Sequence, residues 1–207
     1  MKDRSNNKKV IAVDFDDVLM EFNAGFLDFH NSVHGTTLTF DQLINYDNWE
    51  VVYGCDKDTM TTRAKSFYVS AEHQLVEPVA GAVNAIEKLS RSHSLQIVTS
   101  RPTSVREHTL EWLDRHFPEL FHDFHFTNIY AADAGTKPRS KSEVCREIGA
   151  VVLIDDALRH ATEVAGHAIP VLLPDRPWNR THTPAGVTRV HSWSDIVDWV
   201  ETNIEQA

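Results

Sequence analysis

Residues 10–19 read Val10-Ile11-Ala12-Val13-Asp14-Phe15-Asp16-Asp17-Val18-Leu19, an apolar run that ends in three acids within four positions. The apolar part has the length and β-branching of a buried strand. The acids then fall where that strand would leave its sheet, and in open α/β sheets ligands bind at the carboxyl ends of strands. Carboxylates crowded in one place repel one another, and a divalent cation is the usual compensation. A solvated Asp-rich turn is the alternative for this motif taken alone. The construction recurs late in the chain, where Val151-Val152-Leu153-Ile154 ends in Asp155-Asp156. Between them Leu95-Gln96-Ile97-Val98 ends in Thr99-Ser100-Arg101-Pro102, and Lys137 and Lys141 precede the last of these strands. Acids for a metal, with a hydroxyl and an ammonium for an anion, make a phosphate site.

The rest of the chain alternates strand and helix patterns, the signature of a parallel sheet covered on both faces. Helices are expected from Leu19 to about Val33, ending at His34-Gly35, and from Pro78 through Leu89. Others are expected over 103–116, from the capping box Ser140-Lys-Ser-Glu143 to Ile148, over 157–165 and from Ser194. Further strands are read at Phe124–Ile129, Ile169–Leu173 and Val187–Val190. A stretch of about sixty residues with helical patterns of its own separates the first strand from the next α/β unit, which suits a lid better than a loop. Within it Thr39-Phe-Asp-Gln42 is a second capping box, Asp47-Asn48-Trp49 a break, and 56–70 a helix with Met60, Ala64 and Phe67 on one side. The fold class is therefore α/β, a Rossmann-like sheet with helices on both faces and a small helical cap inserted after the first strand. The expected division is 8–18 with 78–207 as core and 19–77 as cap.

A length of 207 residues and an apolar fraction of 42% fit one medium domain with a small insertion and exclude a disordered chain. No apolar stretch has the length of a membrane span, and the polar start does not read as a signal peptide. Two cysteines, Cys55 and Cys145, are too few for a disulfide framework, so a reducing cytoplasm is the expected location. A net charge of −10 without a basic stripe argues against nucleic acid as a partner. The twelve histidines are scattered, and His122 and His125 read as surface residues near a strand edge.

In the order Asp14-Phe15-Asp16-Asp17, Thr99, Lys141 (or Lys137), Asp155-Asp156, the chain resembles the haloacid dehalogenase-like (HAD) hydrolases, over most of residues 8–200. The Leu-Ile-Asp-Asp ending and the Thr-Ser pair resemble most the cytosolic type C 5′-nucleotidases. Many HAD members carry Gly or Thr where Asp17 stands here, which adds negative charge beside the site. The resemblance implies that Asp14 is a nucleophile forming an aspartyl-phosphate. It implies that Asp16 donates a proton to the leaving group and then activates water, and lends its backbone carbonyl to the metal. Asp14, Asp16, Asp155 and Asp156 would bind Mg2+, an oxygen-rich set of the kind magnesium prefers. Which of Asp155 and Asp156 touches the metal stays open, and an N-cap role for one of them competes. Thr99, Ser100 and Lys141 would bind the phosphoryl group, Lys141 being preferred over Lys137 because a lysine at a helix start wants an anionic partner.

The expected activity is magnesium-dependent hydrolysis of a small phosphorylated metabolite, such as a nucleoside monophosphate. Phosphotransfer would use the same residues. A dehalogenase would not need Asp16, and a binding or regulatory module would not need so strained a set of charges. Phe22, Trp49 and Tyr53 are candidates to stack on a base, with a core role favoured for Phe22. Arg101 and Arg180 are candidate substrate contacts, Trp178 a cover for the sheet edge, and both monomer and dimer stay open.

Overall fold

The computed structural model of the chain describes residues 8–44, 49–129 and 137–205. Its strands are β1 (Val10–Val13), β2 (Ser94–Thr99), β3 (Asp123–Phe126), β4 (Ala150–Ile154), β5 (Val171–Pro174) and β6 (Val187–Val190). They lie in the order β3-β2-β1-β4-β5-β6, and every neighbouring pair is parallel. The chain therefore starts in the middle of the sheet, builds outward one way to β3, then returns to β4 on the other side of β1. The carboxyl end of β1, flanked by β2 and β4, is the point where the strand order reverses.

Side chains alternate across each strand, and the alternation sorts the apolar residues into two layers. Ile11, Val13, Leu95, Ile97, Val152, Ile154 and Leu172 pack on one face against α5 (Ala82–Ser92), α6 (Arg106–His116) and α9 (Trp193–Val200). Ala12, Val98, Leu153, Val171 and Leu173 pack on the other against α7 (Lys141–Glu147) and α8 (Leu158–Ala165). Both faces are thus covered, as the near-continuous apolar strands require.

Between β1 and α5 the chain forms α1 (Phe22–His34), a 3-10 turn (Phe40–Gln42), α2 (Trp49–Tyr53), α3 (Lys57–Tyr68) and α4 (Ala71–Gln74). α1 ends at Gly35 in the left-handed conformation, φ 64°, as its sequence suggested. The capping box at Thr39 is made, but it closes only a single 3-10 turn. The expected break falls partly on Asp47-Asn48, outside the described residues, and Trp49 itself begins α2. Phe22, Phe26 and Phe67 interlock, with ring centroids 5.4 to 6.1 Å apart, so Phe22 is a packing residue. The passages into and out of this segment run side by side, with Glu21 N–H donating to Glu77 O at 3.1 Å and Val79 N–H to Leu19 O at 2.8 Å.

Several boundaries differ from expectation, α1 for one beginning at Phe22 rather than Leu19. Pro78 does not open a helix; it bridges to Met20, and α5 starts after Gly81, whose φ of 82° stops any earlier start. β3 spans Asp123–Phe126 rather than Phe124–Ile129, because Asn128 adopts φ 54° and turns the chain aside. The loop expected over 131–138 lies, up to residue 136, outside the described residues.

Candidate active site

Strand register brings the acids and hydroxyls together. Val13 pairs with Ile97 on one side and Ile154 on the other, so Asp14 and Asp155 emerge side by side from the sheet, with Thr99 one residue further along β2. Asp14 N–H still donates to Ile154 O at 2.9 Å, and Asp155 N–H to Leu172 O at 3.1 Å, which fixes both backbones as extensions of their strands. One carboxylate oxygen from each of Asp14, Asp155 and Asp156 lies within 4.8 Å of the others, and all three residues are buried.

Lys141 reaches this cluster from the first position of α7. The Ser140 capping box is complete, Ser140 Oγ accepting from Glu143 N at 3.1 Å and Glu143 Oε2 from Ser140 N at 2.9 Å. That cap sets where the first helical residue points. Lys141 Nζ then donates to Asp14 Oδ2 and to Asp155 Oδ2, each at 2.7 Å, with its side chain wholly buried. Burial works against its charge, yet the two carboxylates raise its pKa above the ordinary lysine value. Lys137 is exposed.

Asp155 Oδ1 accepts from Ala157 N at 2.9 Å, so the N-terminal capping role and the lysine contact fall on the same carboxylate. Asp156 differs: Oδ2 accepts from Trp178 Nε1 at 2.7 Å, while Asn179 Nδ2 holds its backbone carbonyl at 2.8 Å. Trp178 therefore orients an acid as well as packing on Phe40. Burial pushes the Asp14 carboxyl up to about 7 against the opposing pull of Lys141. Burial, then Asp17, Asp14 and Asp155, hold Asp156 well above the usual carboxylate range.

The other acids of the first motif point elsewhere. Asp16 is outside the three-carboxylate cluster, its side chain held by Arg101, with Nη2 2.7 Å from Oδ1 and Nε 3.1 Å from both oxygens. Arg101, expected to reach a substrate, is only 1% exposed. Arg180 likewise bonds Asp175, at 3.0 Å. Asp17 adopts φ 55° and turns its side chain to the start of α1, where it accepts from Asn23 N at 3.0 Å and Nδ2 at 2.6 Å. Arg176, in the loop after β5, holds the Asp17 carbonyl at 2.7 and 3.1 Å. Thr99 is fully buried, its Oγ1 accepting from Arg101 N at 3.2 Å, and Ser100 Oγ lies 3.3 Å from His160 Nε2. Arg176, Asn179, His160 and Asn23 carried no signal in the sequence, since each acts through contacts between residues far apart in the chain or through a turn geometry set by the fold.

The chain is similar over most of its length to known proteins. The nucleotidase-like protein BH1399 of Halalkalibacterium halodurans is 25% identical over 198 residues, covering 94% of this chain and 93% of that protein. The haloacid dehalogenase-like family protein SP0104 from Streptococcus pneumoniae superposes with a TM-score of 0.67 at 13% identity, covering 93% of this chain and 98% of that one. The HAD-type protein YfnB of Bacillus subtilis, bound to magnesium, gives 0.62 at 17%, covering 96% and 100%. Residues 8–205 match the family model described as 5′ nucleotidase, deoxy (Pyrimidine), cytosolic type C protein, and the chain belongs to that family of HAD-type phosphomonoesterases.

Proposed function

We propose that the protein hydrolyses a small phosphomonoester, of the nucleoside monophosphate class, through a phosphorylated Asp14, with Mg2+ bound. The observation that carries this reading is the buried Lys141 ammonium, 2.7 Å from both Asp14 and Asp155 at the sheet's switch point. One ammonium faces three clustered carboxylates. Burial already drives Asp14 and Asp156 toward their protonated forms. An oxygen-only donor set with excess negative charge fits a hard divalent cation. Asp14 and Asp156 would hold it, with the Asp16 backbone carbonyl: Asp156 offers the oxygen that Trp178 leaves, whereas both oxygens of Asp14 (to Phe15 N and Lys141) and both of Asp155 (to Lys141 and Ala157 N) already accept hydrogen bonds. Such a cation supplies charge neutralisation to the phosphoryl oxygens and the incoming carboxylate.

In this scheme Asp14 attacks phosphorus, the bond to the leaving oxygen breaks, and Asp16 delivers a proton to that oxygen. Thr99 and Ser100 donate hydroxyl hydrogens to the phosphoryl group, and Lys141 neutralises it. Asp16 then takes a proton from the water that attacks phosphorus, releasing phosphate and free Asp14. Residues 19–77 would form the cap that encloses the leaving group, 8–18 and 78–207 the core. No described helix is long and apolar enough to cross a membrane. The match to a cytosolic-type family supports a cytoplasmic setting.

The test is phosphate release from nucleotides, sugar phosphates and an aryl phosphate, with magnesium or with EDTA. Magnesium-dependent release that Asp14→Asn abolishes is the expected result. Release indifferent to both would overturn the scheme.

A further inference from the structure

Arg101 is a buried cation with an unusual number of fixed partners. Beyond Asp16, its Nη1 donates to Thr109 Oγ1 at 2.9 Å, and its Nη2 lies 3.2 Å from both His73 Nε2 and Met20 Sδ. Its guanidinium carbon stands 4.1 Å from the ring centre of Phe15, 4.9 Å from Tyr68 and 5.4 Å from Phe22. Thr109 and Phe15 belong to elements around the sheet, whereas Phe22, Tyr68 and His73 come from the inserted helices. A guanidinium can only donate, so His73 Nε2 must accept, which requires the neutral ring. Burial, then Arg101 itself, lowers the His73 pKa to about 3, in keeping with that.

We infer that Arg101 is a positioning residue that fixes the Asp16 carboxylate for its proton transfers, and that the inserted helices set this position through His73 and Tyr68. The inference rests on the role proposed above for Asp16. The fork takes up lone pairs on one side of the carboxylate and leaves another to carry the proton that goes to the leaving-group oxygen and is later taken from water. Asp16 keeps 16% of its side chain exposed while Arg101 has none, so the carboxylate, not the guanidinium, presents itself to the site.

The test compares an alkyl phosphate, whose leaving group needs a proton, with p-nitrophenyl phosphate, whose leaving group does not, for wild type, Asp16→Asn, Arg101→Gln, Arg101→Lys and His73→Gln. If Arg101 acts through Asp16, Arg101→Gln lowers kcat/KM on the alkyl ester, which reports the steps up to loss of the leaving group and not the later attack of water, by about 10- to 100-fold. On the aryl ester the loss in kcat/KM stays below about threefold, and adding Arg101→Gln to Asp16→Asn costs less than about twofold more. Arg101→Lys, which keeps charge but loses the fork, falls between, and His73→Gln shows the same ester preference at several-fold. Thermal unfolding checks that each variant is folded; should Arg101→Gln not fold, Arg101→Lys and His73→Gln decide. Equal losses of kcat/KM on both esters, or a further loss in the Asp16→Asn background, would each overturn the inference while leaving the phosphatase reading intact. No release from either ester by wild type would overturn that reading, and this inference with it.

Discussion

Asp17 illustrates how one residue can serve the fold at the edge of an acid-rich motif. It carries a third negative charge next to Asp16, yet its left-handed backbone turns the carboxylate to the first turn of α1. There an acid meets unsatisfied N–H groups and the positive end of a helix. Burial nonetheless pushes its pKa well up, with Arg176 and the Asn23 N–H opposing. Asp17→Ala is therefore expected to cost about 2 kcal/mol in urea unfolding, since it strands two buried donors of Asn23 and places Ala at positive φ. An unchanged midpoint would contradict that account. Lys141→Met, of similar volume, leaves Asp14, Asp155 and Asp156 without a counter-charge. It should reduce turnover by at least about 10³-fold without raising the magnesium concentration needed for half-maximal stabilisation, since a competing cation has been removed from those carboxylates. Thermal shift titrations alongside phosphate release would separate the two effects.

At the scale of elements, the closest contact lies where α1 crosses the return passage. A Cβ on Gly25 would fall 2.4 Å from Val76 Cγ2, and Val76 O also accepts from Trp112 Nε1 at 2.8 Å, which ties the passage to α6. Gly25→Ala should destabilise by about 1–3 kcal/mol despite better helix propensity, because Val76 cannot move without disturbing Trp112. Val76→Ala in the same chain should recover much of that loss, a positive coupling in a double-mutant cycle read by urea unfolding. Additive losses would place the strain elsewhere. The helix itself was legible, since Phe22, Phe26 and the Gly35 stop share one pattern. The crossing was not, because Gly25 reads only as a weak point until its neighbour across space is known. The same holds for α5: a proline beside an apolar run suggested a start at Pro78, whereas the pairing of Met20 with Pro78 takes that residue for the passage and leaves Gly81 to set the start.

For the molecule as a whole, the sheet was legible because three strands announce their carboxyl ends with chemically distinct residues, and parallel order then makes them neighbours. What lay beyond the sequence was which acids share a cluster: spacing alone grouped Asp16 with Asp14, but Arg101, 85 residues away, draws its side chain aside. The cluster that results makes stability depend on pH in a defined direction. Between the ordinary carboxylate value of 3.8 and about 7, folded Asp14 keeps a proton that the unfolded chain has released. The folded state then binds more protons than the unfolded one, so stability falls as pH rises through that window and the loss is complete above it. Asp156, also raised, adds in the same direction. A divalent cation needs these carboxylates ionised, so its stabilising effect must grow over the same interval. In EDTA the melting temperature should fall from about pH 5 to about pH 8, and millimolar magnesium should remove most of that fall. Asp14→Asn should flatten the EDTA profile by taking away its titrating group. Comparison at low and high sodium chloride isolates the local effect, because the general self-repulsion of a chain with net charge −10 is screened by salt whereas a buried cluster is screened far less. A slope that survives in Asp14→Asn and vanishes in salt would assign the pH dependence to the surface rather than to the carboxylates at the end of the sheet.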